Sequence, residues 1–398
     1  MKASQHTHHI SHDNLKRHAK VFRPFSSAGR DESLFSNFPL KAIVLLLLIL
    51  FLLGLRGLAA TYYTAASGDP KTTTNWWTNT DGTGSHPANF SGVSDVFIIQ
   101  NGDNMLTITG WTVSGTITVN SGGILTIASG DKLDVATLNV SGTFVNQSAT
   151  AHKIDAMTVN SGGIYQHDVD AGTIPTATWA TGSTCLITKL KGGAGSEPAG
   201  DGQAFYNLTY YDTVATGNLE IATSGLSIAG NFNVLSVHGQ ELRFHQASTT
   251  VGGNCTINDN TRLANNGNPR TLTVNGKFTL SGGTLKMTDN NDVGILNIGG
   301  DMEITGGTLT ETSATGPDSA VVVFTSGTHV YSKSGGTISE QVDFRVETGA
   351  VLNVGTSIIS GSLGTFNLKA GAGIITANTN GLTASSASGS IQVTGSRF

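Results

Sequence analysis

Charge is what this 398-residue sequence has least of: Asp, Glu, Lys and Arg together make up 12% of it, about half the usual quarter. With 22 Lys and Arg against 27 Asp and Glu, it lacks the basic footprint of a nucleic-acid binder. Pro is scarce at 8 residues, and Pro and Gly together stay below the level of low-complexity disorder. Two Cys are too few for a disulfide-stapled scaffold. Beyond residue 60, no run of ten or more residues has helical apolar spacing, which excludes a helix bundle and the helical crossovers of a βαβ sheet. In excess are Gly, with 51 residues, and Thr, with 53, both poor helix formers. Hydrophobic residues at 38% supply a core. The composition predicts many short strands joined by tight turns.

The first sixty residues read as an address. Ala42 to Leu55 is an uncharged apolar run between Lys41 and Arg56. It falls short of the about 20 residues of a membrane span and has the length of a signal-peptide h-region. Small residues at Gly57 and Ala59 place the cleavage at Ala59 or Ala60, with an uncleaved signal anchor as the alternative. Residues 1–41 form a long, disordered n-region whose His6, His8, His9 and His12 lack the fixed geometry of a metal site. Without residues 1–60 the chain has 14 basic and 24 acidic residues, net −10. The expectation is an acidic exported protein, secreted or on an outer-membrane cell surface, that meets the membrane only through its signal peptide.

A repeat of about 23 residues runs through the rest. At an offset of 24, Leu272, Val274, Gly276, Phe278 and Leu280 fall on Leu296, Ile298, Gly300, Met302 and Ile304. At 23, Val251, Gly253, Cys255 and Ile257 fall on Val274, Gly276, Phe278 and Leu280. The pattern is the period-two alternation of half-buried strands around a glycine. Gly230, Gly253, Gly276, Gly300, Gly327, Gly349 and Gly371 are spaced 23, 23, 24, 27, 22 and 22 residues apart. A fixed period of this size marks a solenoid. The expected fold is all-β, a parallel β-helix (β-solenoid) of roughly ten coils, about 50 Å long, with a disordered leader and one signal-peptide helix. The plan is a leader over 1–41, h-region and cleavage site over 42–60, an N-terminal cap over 61–105, coils over 106–164, a loop-rich insertion over 165–225 and coils over 226–398, ending in mid-repeat. Gly-Gly pairs after Ser121, Ser161, Ser281, Thr305 and Ser334 mark corners that need positive φ.

The opening TYYTAASGDPKTTTNWWTNTDGTG, the later WATGSTCLITKLKGGAGSEPAGDGQAFYNLTYYD, LTVNGKFTLSGGTLKM and ASGSIQVTGSRF resemble segments of the secreted β-strand-repeat proteins of Bacteroidota, over essentially all of 61–398. That resemblance implies a repetitive, adhesin-like protein of the surface or medium, often exported by type IX secretion and without assigned activity. The sorting domain many such proteins carry does not precede Phe398, so a fragment of a larger adhesin is an alternative. Asp212-Thr213-Val214 and Asp318-Ser319-Ala320 resemble the O-glycosylation sequon of that phylum, which makes Thr213 and Ser319 glycosylation candidates.

Chemistry is thinly spread. Glu241, Arg243 and His245 alternate with Leu242 and Phe244, so they share one strand face. Acids and Arg on such a face fit a polysaccharide lyase or hydrolase, against the plainer reading of a solvated strand face; Asp343, Arg345 and Glu347 repeat the pattern. Asp289 with Asp292, and Asp168 with Asp170, are acidic turns that could hold an ion or simply turn the chain. Residues 192–197 approach a calcium-binding nonapeptide in one copy, where tandem copies are needed. Trp76, Trp77, Tyr210 and Tyr211, with Trp111 and Tyr206, are candidates for a sugar platform; of the adjacent Trp76 and Trp77, one points outward and the other caps the core. Cys255 aligns with inward core positions and lies three coils from Cys185, about 14 Å along the axis, so no disulfide is expected. Broken Thr pairs at Thr271 and Thr273, opposite Ile295 and Asn297, exclude an ice-binding ladder. The expected protein is not an enzyme, takes no cofactor or nucleic acid, and meets glycans or other cell-surface molecules.

Overall fold

The computed structural model describes residues 59–193, 197–222, 224–264, 268–289, 292–312, 320–361, 363–382, 389–393 and 395–397. Among these, the regular elements are β-strands apart from one 3-10 turn at Thr73–Asn75. The leader and h-region over 1–58 and Ser319 lie outside the described residues.

The strands build a parallel β-solenoid of about 11 turns. A thirteen-stranded sheet runs its length, from Asn104–Leu106 to Gly373–Thr376; twelve steps of about 4.8 Å make it about 58 Å long. Up to Trp179 a seven-stranded sheet faces it; from Ala204 onward two sheets of nine and six strands take over. The change follows from coil length. Thr143 pairs with Ile164 and Ile164 with Thr184, steps of 21 and 20 residues, whereas Phe232, Cys255 and Phe278 follow at 23. The added residues allow a third strand per coil.

Period-two alternation becomes an inside and an outside. Phe144, Tyr165, Cys185, Leu208, Phe232, Cys255, Phe278 and Met302 stack in register down the thirteen-stranded sheet, and all are buried. Each apolar stack removes side chains from water at about 25 cal/mol per Å². The repeat glycine has a specific cause. The Oδ1 of Asn207, Asn231 and Asn254 accepts the backbone N–H of Asn231, Asn254 and Lys277 at 2.8, 2.9 and 2.9 Å. A Cβ on Gly253 would sit 2.6 Å from Asn231 Oδ1 and 2.8 Å from the Gly230 carbonyl oxygen. The ladder of amides therefore requires glycine beside it. At the Gly-Gly corners, Gly122, Gly162, Gly283, Gly307 and Gly336 all have positive φ.

Three expectations change. The segment 165–225 does not interrupt the thirteen-stranded ladder, in which Ile164–His167, Thr184–Ile187, Asn207–Asp212 and Phe232–Val237 pair without a break, but it separates two blocks of coils, since the seven-stranded sheet ends within it and the nine- and six-stranded sheets begin there. Gly300 is not followed by Gly327: Met302 pairs with Tyr331, 29 residues on, and the Gly300 carbonyl meets His329 Nδ1 at 2.6 Å. Within 61–105, Val96–Ile99 and Asn104–Leu106 already belong to the ladders. The end of the sheet is closed by Thr61–Thr64, which takes Trp76–Trp77 antiparallel on its outer edge, removing an open edge.

Candidate functional site

The six-stranded sheet concentrates the charge. Its inward column is Leu219, Leu242, Thr261 and Leu285; one residue on, Glu220, Arg243, Arg262 and Lys286 stack in register on the outer face. Glu241 sits among them, as the period-two pattern places it. Arg262 Nη2 lies 2.8 and 2.7 Å from its two carboxylate oxygens, Lys286 Nζ 2.8 Å from Oε1 and Arg243 Nη2 3.1 Å from Oε2. Arg262 also pairs with Asp289. Burial pushes the Glu241 carboxyl up, but hydrogen bonds and charge from Arg262 and Lys286 outweigh it and hold it at about 2. Such a carboxylate stays ionised and is a poor proton carrier near neutral pH.

The structure brings Glu241 and Arg243 together as the sequence predicts, but His245 turns to another partner. Its Nδ1 lies 3.3 Å from Glu220 Oε2. Burial lowers its pKa, and the charges of Arg270 and Arg243 act in the same direction against Glu197. Glu220 is raised by burial, then by a hydrogen bond and charge from Glu197, with Arg243 opposing. Asp201 is pushed up to about 6, by burial above all and also by the Glu197 charge. Glu197 and Glu220 line a shallow recess with Leu190, Gly192, Gly193, Asn218 and Leu219 that has no room for a small molecule. Glu220 was legible in the sequence: it stands one 23-residue repeat before Arg243.

A second cluster lies inside, where sequence reading found nothing. Asn146 and His167 occupy the inward column that holds Ile127 and Ile187 in neighbouring coils. His152 Nε2 donates to Asn146 Oδ1 at 2.9 Å and its Nδ1 accepts the Leu133 N–H at 3.3 Å. Asn146 Nδ2 donates to the Tyr165 hydroxyl at 3.3 Å, which is 3.1 Å from His167 Nδ1; His167 Nε2 donates to the Ala171 carbonyl at 2.7 Å. Burial, then the charges of His167 and Lys132, lower His152 to about 4. Burial also lowers His167, against the Ala171 bond and the Asp168 charge. Polar residues at inward positions of the alternation were the available signal.

The other sequence candidates scatter. Trp76 is fully buried, its indole N–H donating to the Pro70 carbonyl at 2.8 Å and its ring stacked on Trp111. Trp77 lies against His86, ring centroids 3.9 Å apart. Tyr210 points inward and is 2% exposed, so it and Trp76 are removed from any ligand surface; Tyr211 is 51% exposed. Trp77 and Tyr211 sit in different sheets several coils apart, so no joint platform forms. Asp289, a candidate for an ion or a plain turn, pairs with Arg262, and Asp292 is buried. Asp168 accepts from Gln147 and Thr188, and Asp170 from the Lys191 N–H. Cys185 and Cys255 are buried free thiols, both raised by burial. Thr213 is exposed beside a buried Asp212. The Ala60 N–H donates to Asp95 Oδ1 at 3.1 Å, next to exposed Ala59.

Among the described residues, no helix is long and apolar enough to cross a membrane and no group of three or more His, Cys, Asp or Glu could hold a metal ion. No family model, curated protein or solved structure matches the chain. What the outer face offers chemically is a set of mutually neutralised ions and one acid pair, Glu197 and Glu220, that shares a hydrogen bond.

Proposed function

We propose that this chain is a non-enzymatic secreted or cell-surface repeat protein that acts as an adhesin, spacer or structural surface element. The observation that carries the reading is the saturation of its charged face: three cations converge on Glu241, so the best-placed carboxylate is spent on holding coils together. A solenoid also offers a long, stiff polar surface. Leader and h-region support export, and the resemblance to Bacteroidota repeat proteins supports type IX secretion to the outer-membrane surface. Reducing-sugar release and unsaturated-product absorbance over a polysaccharide panel should stay at background, while beads coated with the protein should gain adhesion to cells or particles. Turnover abolished by Glu241→Gln or Glu220→Gln would falsify the reading.

One observation favours a polysaccharide-acting enzyme as the second reading. Glu220 is pushed up while Glu241 is held down at about 2, and carboxyls pushed apart are how acid and base roles are divided. Against it, Glu241 cannot turn to a substrate without breaking three ion pairs, leaving Arg262 with Asp289 alone. Sequencing beyond Phe398 tests whether the chain is part of a larger adhesin.

A further inference from the structure

We propose that the outer face of the thirteen-stranded sheet around Tyr211 binds a neutral, hydroxyl-rich polysaccharide. This inference rests on the adhesion reading and names the partner class.

The two long faces differ in charge. On the six-stranded sheet, four successive outward rungs are ionic. On the thirteen-stranded sheet the outward column that includes Gln166, Thr209, Asn233, Thr256 and Thr279 runs eleven rungs from Leu106 to Ser332 and has one charge, Glu303; on the neighbouring outward column, which holds Thr188, Tyr211 and Ser236, Asp168 lies two rungs from Tyr211, an anion whose oxygens accept from Gln147 and Thr188. Lys277 Nζ lies 2.7 Å from the Glu303 carboxylate. An acidic polymer would find no unspent cation in the first column, and desolvating its charges there would go uncompensated. A neutral one loses only hydroxyl hydration, which Thr hydroxyls and side-chain amides can replace.

Tyr211 supplies the anchor. It lies two residues beyond Thr209 on the same strand and therefore on the same face. It is 51% exposed, and Leu235, in the irregular register of the next coil, is 40% exposed. An amphipathic ring beside an apolar shoulder suits the C–H face of a pyranose, with polar groups on either side. The half-buried amides of Asn233 and Gln166 are already ordered: Asn233 Nδ2 donates to Oγ1 of the buried Thr209 at 3.3 Å and Gln166 Nε2 to Thr188 Oγ1 at 3.2 Å, which lowers the ordering cost of binding. A ladder repeating every about 4.8 Å favours a polymer, whose weak contacts add along its length.

The test is retention of the full chain on insoluble neutral polymers (cellulose, chitin) against acidic gels (alginate, pectate), for wild type, Tyr211→Ala and Tyr211→Phe with unchanged far-UV circular dichroism. Wild type and Tyr211→Phe should be retained on at least one neutral polymer, and Tyr211→Ala should bind at least tenfold more weakly. Equal retention of Tyr211→Ala, or preference for alginate or pectate, overturns the proposal. Adhesion to cells without retention on any neutral polymer removes this partner class and leaves adhesion standing. Adhesion to nothing removes both.

Discussion

Replacing His152 by Gln probes the buried polar cluster through its pH dependence. His152 is neutral in the folded chain: Nε2 donates to Asn146 and Nδ1 must accept the Leu133 N–H. Protonating Nδ1 would set two donors against each other inside the solenoid. The folded pKa of about 4, against an ordinary 6.5, is a difference of about 2.5, and at about 1.4 kcal/mol per unit it amounts to about 3 kcal/mol. Because the folded value is lowered, the unfolded chain binds more protons between pH 6.5 and 4. Stability is therefore full above pH 6.5 and falls by that amount as pH drops to 4.

Two acids act in the opposite sense. Asp201, pushed up to about 6, and Glu220, also raised, favour the folded chain as pH falls, so the wild-type profile alone is a sum. The difference between wild type and His152→Gln isolates the imidazole. At pH 7 the variant should be about 1 kcal/mol less stable through a weakened hydrogen bond, and by pH 4 it should be the more stable protein. Urea denaturation from pH 7 to 4 measures the difference, and NMR titration of the His152 ring gives its pKa without assuming two-state unfolding of a solenoid. A ring titrating at pH 6 or above, or a stability difference that does not change with pH, would refute the reasoning.

Gly253→Ala drives a Cβ against Asn231 Oδ1 and the Gly230 backbone and should cost about 1–3 kcal/mol, read from the denaturation midpoint; Asn231→Gly in the same chain should recover part of the loss, and no recovery would detach the glycine from the amide ladder. Glu241→Gln leaves Arg262 and Lys286 short of a charge partner and should destabilise by about 2 kcal/mol. Because the folded carboxyl lies below its unfolded value, the wild-type advantage should be full above pH 5 and shrink as pH falls towards 2, so an unchanging difference over that range speaks against the ion cluster. If cleavage follows Ala59, the new ammonium of Ala60 meets the Asp95 carboxylate where the amide N–H now lies. N-terminal sequencing of exported protein that begins at Ala60 would place that pair, and a start at Thr61 would remove it.

Architecture was legible because a solenoid repeats its physics: a residue that points inward at Cys255 points inward again at Phe278 and Met302, and Phe232 lies on the same column. Counting along the chain found that register wherever coils kept 23 or 24 residues. It fails between Met302 and Tyr331, because Gly327 continues the repeat's glycine series while His329 fills the rung. Composition also marks 165–225 as a loop-rich insertion, because it reports a loop but not whether the ladder continues beside it. The candidate site was half legible for a related reason. Glu241 and Arg243 are neighbours in sequence, and alternation alone puts them on one face. Glu220 stands one regular 23-residue period before Arg243, but Arg262, only 19 residues on, and Lys286 beyond it join them through strand pairing between coils, which needs the register of each coil relative to the next. Tyr210 and Tyr211 make the same point at single-residue scale. Both are aromatic and adjacent, and the parity of the strand sends one into the core and leaves the other in water. In a chain this poor in charge, parity and register decide what any side chain can do, and the uncharged face they create is as specific a feature as the ionic one.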